Sequence, residues 1–184
     1  MKGRLPMTEH YRLATLEDAE SLLAVTLDAY ETIRALNIPF PAGHATLEVI
    51  QNNVTQHECY LLEEDGQIIA TVTLDRGQDA RRQAISSYPF IRWFAVSPNH
   101  KGKGYGSRLL DWVEQQVILT KLDEPALFLA TATRHPWLAP MYERKGYTPF
   151  HTQVVQTADA SEEIVFMIKI LDPERYHAQS VQTG

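Results

Sequence analysis

Phe90-Ile91-Arg92-Trp93-Phe94-Ala95-Val96-Ser97-Pro98-Asn99-His100-Lys101-Gly102-Lys103-Gly104-Tyr105-Gly106-Ser107 is the stretch that decides how this chain folds. It reads as an apolar strand, a turn opened by proline, and a basic glycine-rich loop that runs straight into the helical pattern from Arg108 to Val117. Glycines at 102, 104 and 106 allow positive φ and close backbone approach, so successive N–H groups can converge on one anion. The N-terminus of the following helix adds its partial positive charge, and phosphate is the natural guest. Spacing excludes two phosphate loops. The dinucleotide pattern G-x-G-x-x-G ends on Ser107 when counted from Gly102 and on Leu109 when counted from Gly104, and no G-x-x-x-x-G-K-[ST] string occurs.

Downstream, Ala126-Leu127-Phe128-Leu129-Ala130-Thr131 is a buried-strand run, and Pro136 to Lys145 reads as a short helix stopped at Gly146. Two closing strands are expected near Thr148 to Thr157 and Ile164 to Ile170. Upstream, Tyr11 to Ala14 reads as a first strand, and Thr15-Leu16-Glu17-Asp18 offers a helix cap. Ala19, Leu22, Leu23, Thr26, Leu27 and Tyr30 follow at helical spacing. Residues 34–44 hold two prolines and a glycine, so an irregular break or lid precedes a second short helix near Ala45 to Asn53. Strands at Cys59 to Glu63 and Ile68 to Leu74 flank the hairpin turn Glu64-Asp65-Gly66. Asp75 to Ser87 is polar and reads as a mobile connection, and Leu171 to Gly184 as a weakly ordered tail.

The run Phe94-Ala95-Val96-Ser97-Pro98 and the loop Lys101-Gly102-Lys103-Gly104-Tyr105-Gly106 together resemble the coenzyme-binding strand and R/Q-x-x-G-x-G/A signature of the GNAT superfamily of acyl-CoA N-acyltransferases. Lys101 stands where Arg or Gln is usual, keeping the charge but losing planar bidentate geometry. A second family signature is matched by Met141-Tyr142-Glu143-Arg144-Lys145-Gly146-Tyr147, with His135 where many members have Asn. The likeness covers roughly residues 9 to 170. It implies an α/β fold with a mixed, mostly antiparallel twisted sheet and helices on both faces. It also implies a single acyltransferase domain over 9–170; residues 1–8, with a second methionine at Met7, read separately as a disordered segment or cloning remnant.

Composition is compatible with that reading. The 184 residues are 44% hydrophobic and 22% charged, enough for one independent core. Seventeen basic against 23 acidic residues give a formal charge of −6, which disfavours nucleic acid as a partner. There is no apolar run suited to a membrane and no secretory signal pattern, and a lone cysteine, Cys59, cannot form an internal disulfide. A cytoplasmic protein is therefore expected, with Cys59 a core thiol. No H-E-x-x-H or C-x-x-C occurs, so no metal is expected. A homodimer is one oligomeric state the sequence allows.

The resemblance implies acetyl transfer from acetyl-CoA to a primary amine of a small or amino-acid-like acceptor, by direct attack on the thioester. The alternative is a catalytically silent acyl-CoA sensor or interaction module of the same fold. Phe94, Ala95 and Val96 would supply backbone N–H groups to the oxyanion, and Lys101, Gly102, Lys103, Gly104, Tyr105, Gly106 and Ser107 would hold the coenzyme. Tyr142 is the candidate acid for the departing thiolate, since a phenol with pKa about 10 stays protonated at neutral pH. The base is open: many members carry Glu at the position of Arg92, which cannot accept a proton near neutrality. Asp28 and Glu31, three apart on the first helix and its loop, are carboxylate candidates or solvated charges, and His135 is a base or a structural histidine. Trp93 and Trp137 are rim aromatics or substrate platforms. Tyr30, Glu31 and Arg92 are the candidate acceptor contacts. Strand alternation places Arg92 on one face with Phe94 and Val96. There the guanidinium needs either an internal carboxylate, the plainer reading, or a cavity admitting an anionic group of the acceptor.

Overall fold

The computed structural model describes residues 8–77, 79–156 and 160–182. The first strand, β1 (Glu9–Leu13), leads into a 3-10 turn at Leu16–Asp18 and then α1 (Ala19–Ala29). Thr15 N–H donates to Asp18 Oδ2 at 2.8 Å, so the expected cap forms around Asp18. The two-proline break contains α2 (Glu31–Ala35) and a 3-10 turn at Pro41–His44 before α3 (Leu47–Gln56), which Thr46 caps through Val49 N–H. A hairpin follows, β2 (Glu58–Glu64) and β3 (Gln67–Asp75). Its turn residues Asp65 and Gly66 have φ of 50° and 80°, the handedness a two-residue hairpin demands.

The polar connection after β3 is structured at its centre. Asp75 is buried and bonded to Arg82 of a short helix, α4 (Ala80–Gln83), in place of the expected mobile stretch. After β4 (Phe90–Val96) come the turn Pro98–His100, then α5 (Tyr105–Trp112), which continues in wider π geometry through Val113–Lys121. The chain closes with β5 (Ala126–Ala132), α6 (Leu138–Arg144), β6 (Thr148–Gln156), β7 (Ser161–Ile170) and α7 (Pro173–Gln182). Thus a helix occupies most of the expected tail, started by Asp172 Oδ1 accepting from Arg175 N–H, with Tyr176 stacked on Tyr88. Thr157, the last residue of one expected strand, and residues 1–7 lie outside the described residues.

Among the described residues, seven strands form one sheet in the order β1-β2-β3-β4-β5-β7-β6, antiparallel except where β4 meets β5. One face is covered by α5, its π extension and α6, around Leu109, Leu110, Val113 and Ile118, all fully buried. The other face carries α1 and α3 over Leu22, Ile50 and Leu61. Cys59 is buried there with Sγ 3.4 Å from Thr71 Oγ1, a core thiol as expected. Among the described residues no helix is long and apolar enough to cross a membrane, and no cluster of side chains is suited to a metal.

Candidate functional site

Two irregularities in β4 create the site. The first is a bulge: β3 and β4 pair Thr71 with Ala95 and Thr73 with Arg92, two steps on one strand against three on the other. The extra residue is absorbed at Trp93, whose φ of 52° is rare for an aromatic. The second is a splay. β4 and β5 share one paired position, Phe90 with Phe128, so the edge of β4 from Arg92 to Val96 is left without a strand partner on that side. A cavity of about 830 Å³ occupies the wedge. It runs from the glycine loop, past Phe94, Ala95 and Val96, to the end of α1 and the Phe40–Ala42 segment.

The bulge overturns the simple alternation of β4. Phe94 and Val96 face α5, whereas Arg92 and Trp93 both turn to the α1–α3 side. Arg92 Nη2 donates to Asn53 Oδ1 of α3 at 3.1 Å, and the guanidinium lies 5.4 Å from the Trp93 ring. Its Nε is buried without a partner, and among the described residues no carboxylate pairs with it. Asp75, whose charge reaches Arg92, is held by Arg82. Burial, reinforced by Arg82, lowers the Arg92 pKa. The plainer expectation, an internal carboxylate, is not met, and Arg92 lines the cavity.

At the other end, Gly104 caps α5 with φ of 81°, which turns the loop backbone into the helix N-terminus. A Cβ on Gly106 would sit 2.8 Å from Phe94 Cζ and from Val96 Cγ2, so only glycine lets α5 lie this close to β4. Lys101, Gly102, Gly104, Tyr105, Gly106 and Ser107 reach the cavity wall. Lys103 does not; its side chain is exposed and its carbonyl accepts from Arg108. Lys145, just past the end of α6 and left without a role by sequence reasoning, donates to Ser107 Oγ at 2.6 Å and joins the same mouth.

Tyr142 and Tyr30 enter the wall from α6 and from the end of α1, 7% and 9% exposed. Desolvation raises both phenol pKa values, so both stay protonated across the physiological range. Tyr142 packs edge-on against Tyr147, whose hydroxyl donates to buried Glu114. Glu31 and Asp28 are exposed and off the wall, so neither expected carboxylate reaches the cavity. Trp93 and Trp137 are both on it, as are Thr131 and His135 at the end of β5. Thr131 Oγ1 and both His135 ring nitrogens are buried without partners. Sequence signalled His135 as a departure from Asn and as either a base or a structural histidine; Thr131 gave no signal beyond a strand pattern.

Comparison with known proteins agrees with this architecture. A family profile described as "Acetyltransferase (GNAT) domain" matches residues 55–149. The chain is 48% identical over 141 residues to S-(2-succino)cysteine N-acetyltransferase of Bacillus subtilis, spanning 77% of this chain and 85% of that protein. It is 41% identical over 168 residues to S-alkylcysteine N-acetyltransferase of the same organism, spanning 91% and 92%. Among solved structures, the ribosomal-protein-S18-alanine N-acetyltransferase from Escherichia coli superposes with a TM-score of 0.67 at 16% identity, over 90% of this chain and 95% of that one. The splayed sheet, the glycine-capped helix beside it and these likenesses agree, and the chain belongs to the GNAT family as an N-acetyltransferase.

Proposed function

We propose that this enzyme transfers acetyl from acetyl-CoA to the α-amino group of an S-substituted cysteine, with Arg92 holding the acceptor's α-carboxylate. The observation that carries this reading is Arg92 itself, a guanidinium on the cavity wall with an unpartnered buried Nε and, among the described residues, no carboxylate of its own. An incoming carboxylate would satisfy Nε and compensate the charge, a pairing of the strong, charge-assisted kind. The relatives named for cysteine derivatives share the acceptor type this predicts.

The coenzyme's pyrophosphate is assigned to the loop around Gly104 and the start of α5, and the thioester to the open edge of β4, where N–H groups near Phe94 to Val96 can receive the oxyanion. The acceptor then approaches from the Tyr30 and Phe40 side, which leaves the sulfur end facing Tyr142. The test compares S-methylcysteine with its decarboxylated analogue, 2-(methylthio)ethylamine, in the wild type and in Arg92→Met. The amino acid should be preferred by about 10²-fold in kcat/KM or more, and Arg92→Met should erase the preference by weakening the amino acid alone. Equal or better turnover of the amine by the wild type would sink the anchor.

A further inference from the structure

The proton of the acceptor's ammonium needs a destination, and the wall of the cavity narrows the choice. No Asp or Glu lies on it among the described residues, and Arg92 occupies the strand position where a carboxylate could have stood. Its two imidazoles are His100 and His135. His100 belongs to the turn before the glycine loop, with Nδ1 3.2 Å from Ser97 Oγ and its ring edge-on to Tyr105, so it sits at the phosphate end. His135 lies between β5 and α6, on the wall shared with Thr131, Leu138 and Tyr142.

His135 is 2% exposed, and neither Nδ1 nor Nε2 has a hydrogen-bond partner. A neutral imidazole carries one donor and one acceptor, and burying both unmade is unfavourable unless the cavity's occupant supplies partners. The ring is held edge-to-face on Trp137, centroids 4.4 Å apart, and the backbone is pinned by His135 N–H donating to Ala132 O. The charges around it are engaged elsewhere. Arg134 pairs with Glu162 and the carbonyls of Leu36 and Asn37, Lys145 bonds Ser107, and Arg92 bonds Asn53. Tyr142 and Tyr30 are neutral phenols. Desolvation alone acts on the imidazole and lowers its pKa, so His135 is a free base at neutral pH.

We propose that His135 is the general base of this enzyme, taking a proton from the acceptor's ammonium inside the cavity. One N–H bond of the ammonium breaks and its proton passes to an imidazole nitrogen, leaving the nitrogen lone pair to form the C–N bond with the thioester carbonyl. The tetrahedral intermediate collapses with cleavage of C–S. Tyr142 gives its proton to the thiolate, the phenolate recovers the second proton from the new amide nitrogen, and imidazolium releases its proton to water. The step rests on acetyl transfer to an ammonium-bearing acceptor and not on that acceptor having a carboxylate.

The test is the pH profile of kcat at saturating acetyl-CoA and S-methylcysteine, from about pH 5 to 10, for wild type, His135→Asn and His135→Ala. Wild-type kcat should rise through a pKa below the usual imidazole value of about 6.5 and be flat by neutral pH. The variants should lose about 10²-fold at pH 7, keep their affinity for acetyl-CoA, and regain rate only as pH climbs through the acceptor's own ammonium pKa, about 8 or above. Variants with wild-type kcat, or with a lower kcat and an unchanged profile, overturn the proposal. If amino-acid acceptors are not turned over, the Arg92 anchor falls alone, and the same comparison is run with whichever amine a thiol-release screen yields. Should the variants fail to fold, imidazole NMR of the wild type decides. The His135 ring, assigned through its contact with Trp137, should be neutral at pH 7 and shift on addition of S-methylcysteine or the screened amine. A ring protonated at pH 7, or silent to the acceptor, refutes the assignment.

Discussion

Tyr142 carries a hydroxyl that no described group hydrogen-bonds and that burial keeps protonated. A phenol in that state is a donor waiting for an anion, and the thiolate leaving in the last step is the anion this reaction produces. Tyr142→Phe keeps the ring packed on Tyr147 and removes only the proton. It is expected to lower kcat by about 10²-fold while leaving the calorimetric affinity for acetyl-CoA unchanged, and undiminished turnover would take Tyr142 out of the mechanism. Arg92 is the residue whose environment sequence described least well. Its charge and its place on the strand were legible. Its face was not, because the bulge at Trp93 has no glycine or proline to announce it. His135 shows a different limit: a buried imidazole is recognised as unpartnered only when every neighbouring element has been placed.

Among the elements, the glycine loop and the two strands flanking the site were the most legible, since their signal is local: a run of β-forming apolar residues, then residues able to take positive φ, then a helical period. The splay of β4 from β5 was not, because it depends on a single paired position between two segments that are far apart in sequence. The helix after Ile170 was readable in principle, as Asp172-Pro173 is a helix-start pair, but few apolar residues follow to give it a face. The left-handed cap of α5 at Gly104 makes a sharp prediction. Gly104→Val, which forces a β-branched residue into positive φ, is expected to weaken acetyl-CoA binding by roughly 10–100-fold. Lys103→Ala, on an exposed side chain off the wall, is expected to change it little. Isothermal titration of both variants, with circular dichroism to confirm folding, checks the pair; equal affinities would detach the loop from the coenzyme.

Across the whole molecule, polar ties join distant parts of the chain, and two of them make predictions. Glu114, 2% exposed in the π segment, accepts from Tyr147 Oη at 2.7 Å and from Lys169 of β7. Removing the cation leaves a buried charge, so Lys169→Met is expected to cost about 3 kcal/mol. For a chain of this size that is a fall of roughly 6–12 °C in Tm, readable by calorimetry. Arg12 of β1 bridges Asp18 at 2.8 Å and Glu63 of β2 at 2.8 Å. The Arg12 hydrogen bonds hold the Asp18 carboxyl at about 2, below its ordinary 3.8. A depressed carboxylate stabilises the fold above its unfolded pKa, and that contribution fades as pH falls from about 4 through about 2. Arg12→Gln should therefore lower urea stability near neutral pH, with the difference from wild type shrinking to nothing at the acid end of that window.

The wedge between β4 and β5 has a mechanical side. It divides the sheet into a four-stranded and a three-stranded half, β1 to β4 and β5, β7 and β6, whose one shared backbone ladder among the described residues is the Phe90–Phe128 position. Such a joint can breathe, and amides on both of its lips should exchange with deuterium faster than those in the interior of either half. Any molecule long enough to reach from the glycine loop to the end of α1 touches both halves and acts as a splint. Acetyl-CoA should then slow exchange in β4 and β5 together, far beyond the residues it contacts, and the splinted joint would present a firmer floor to the acceptor, favouring an order in which the coenzyme binds first.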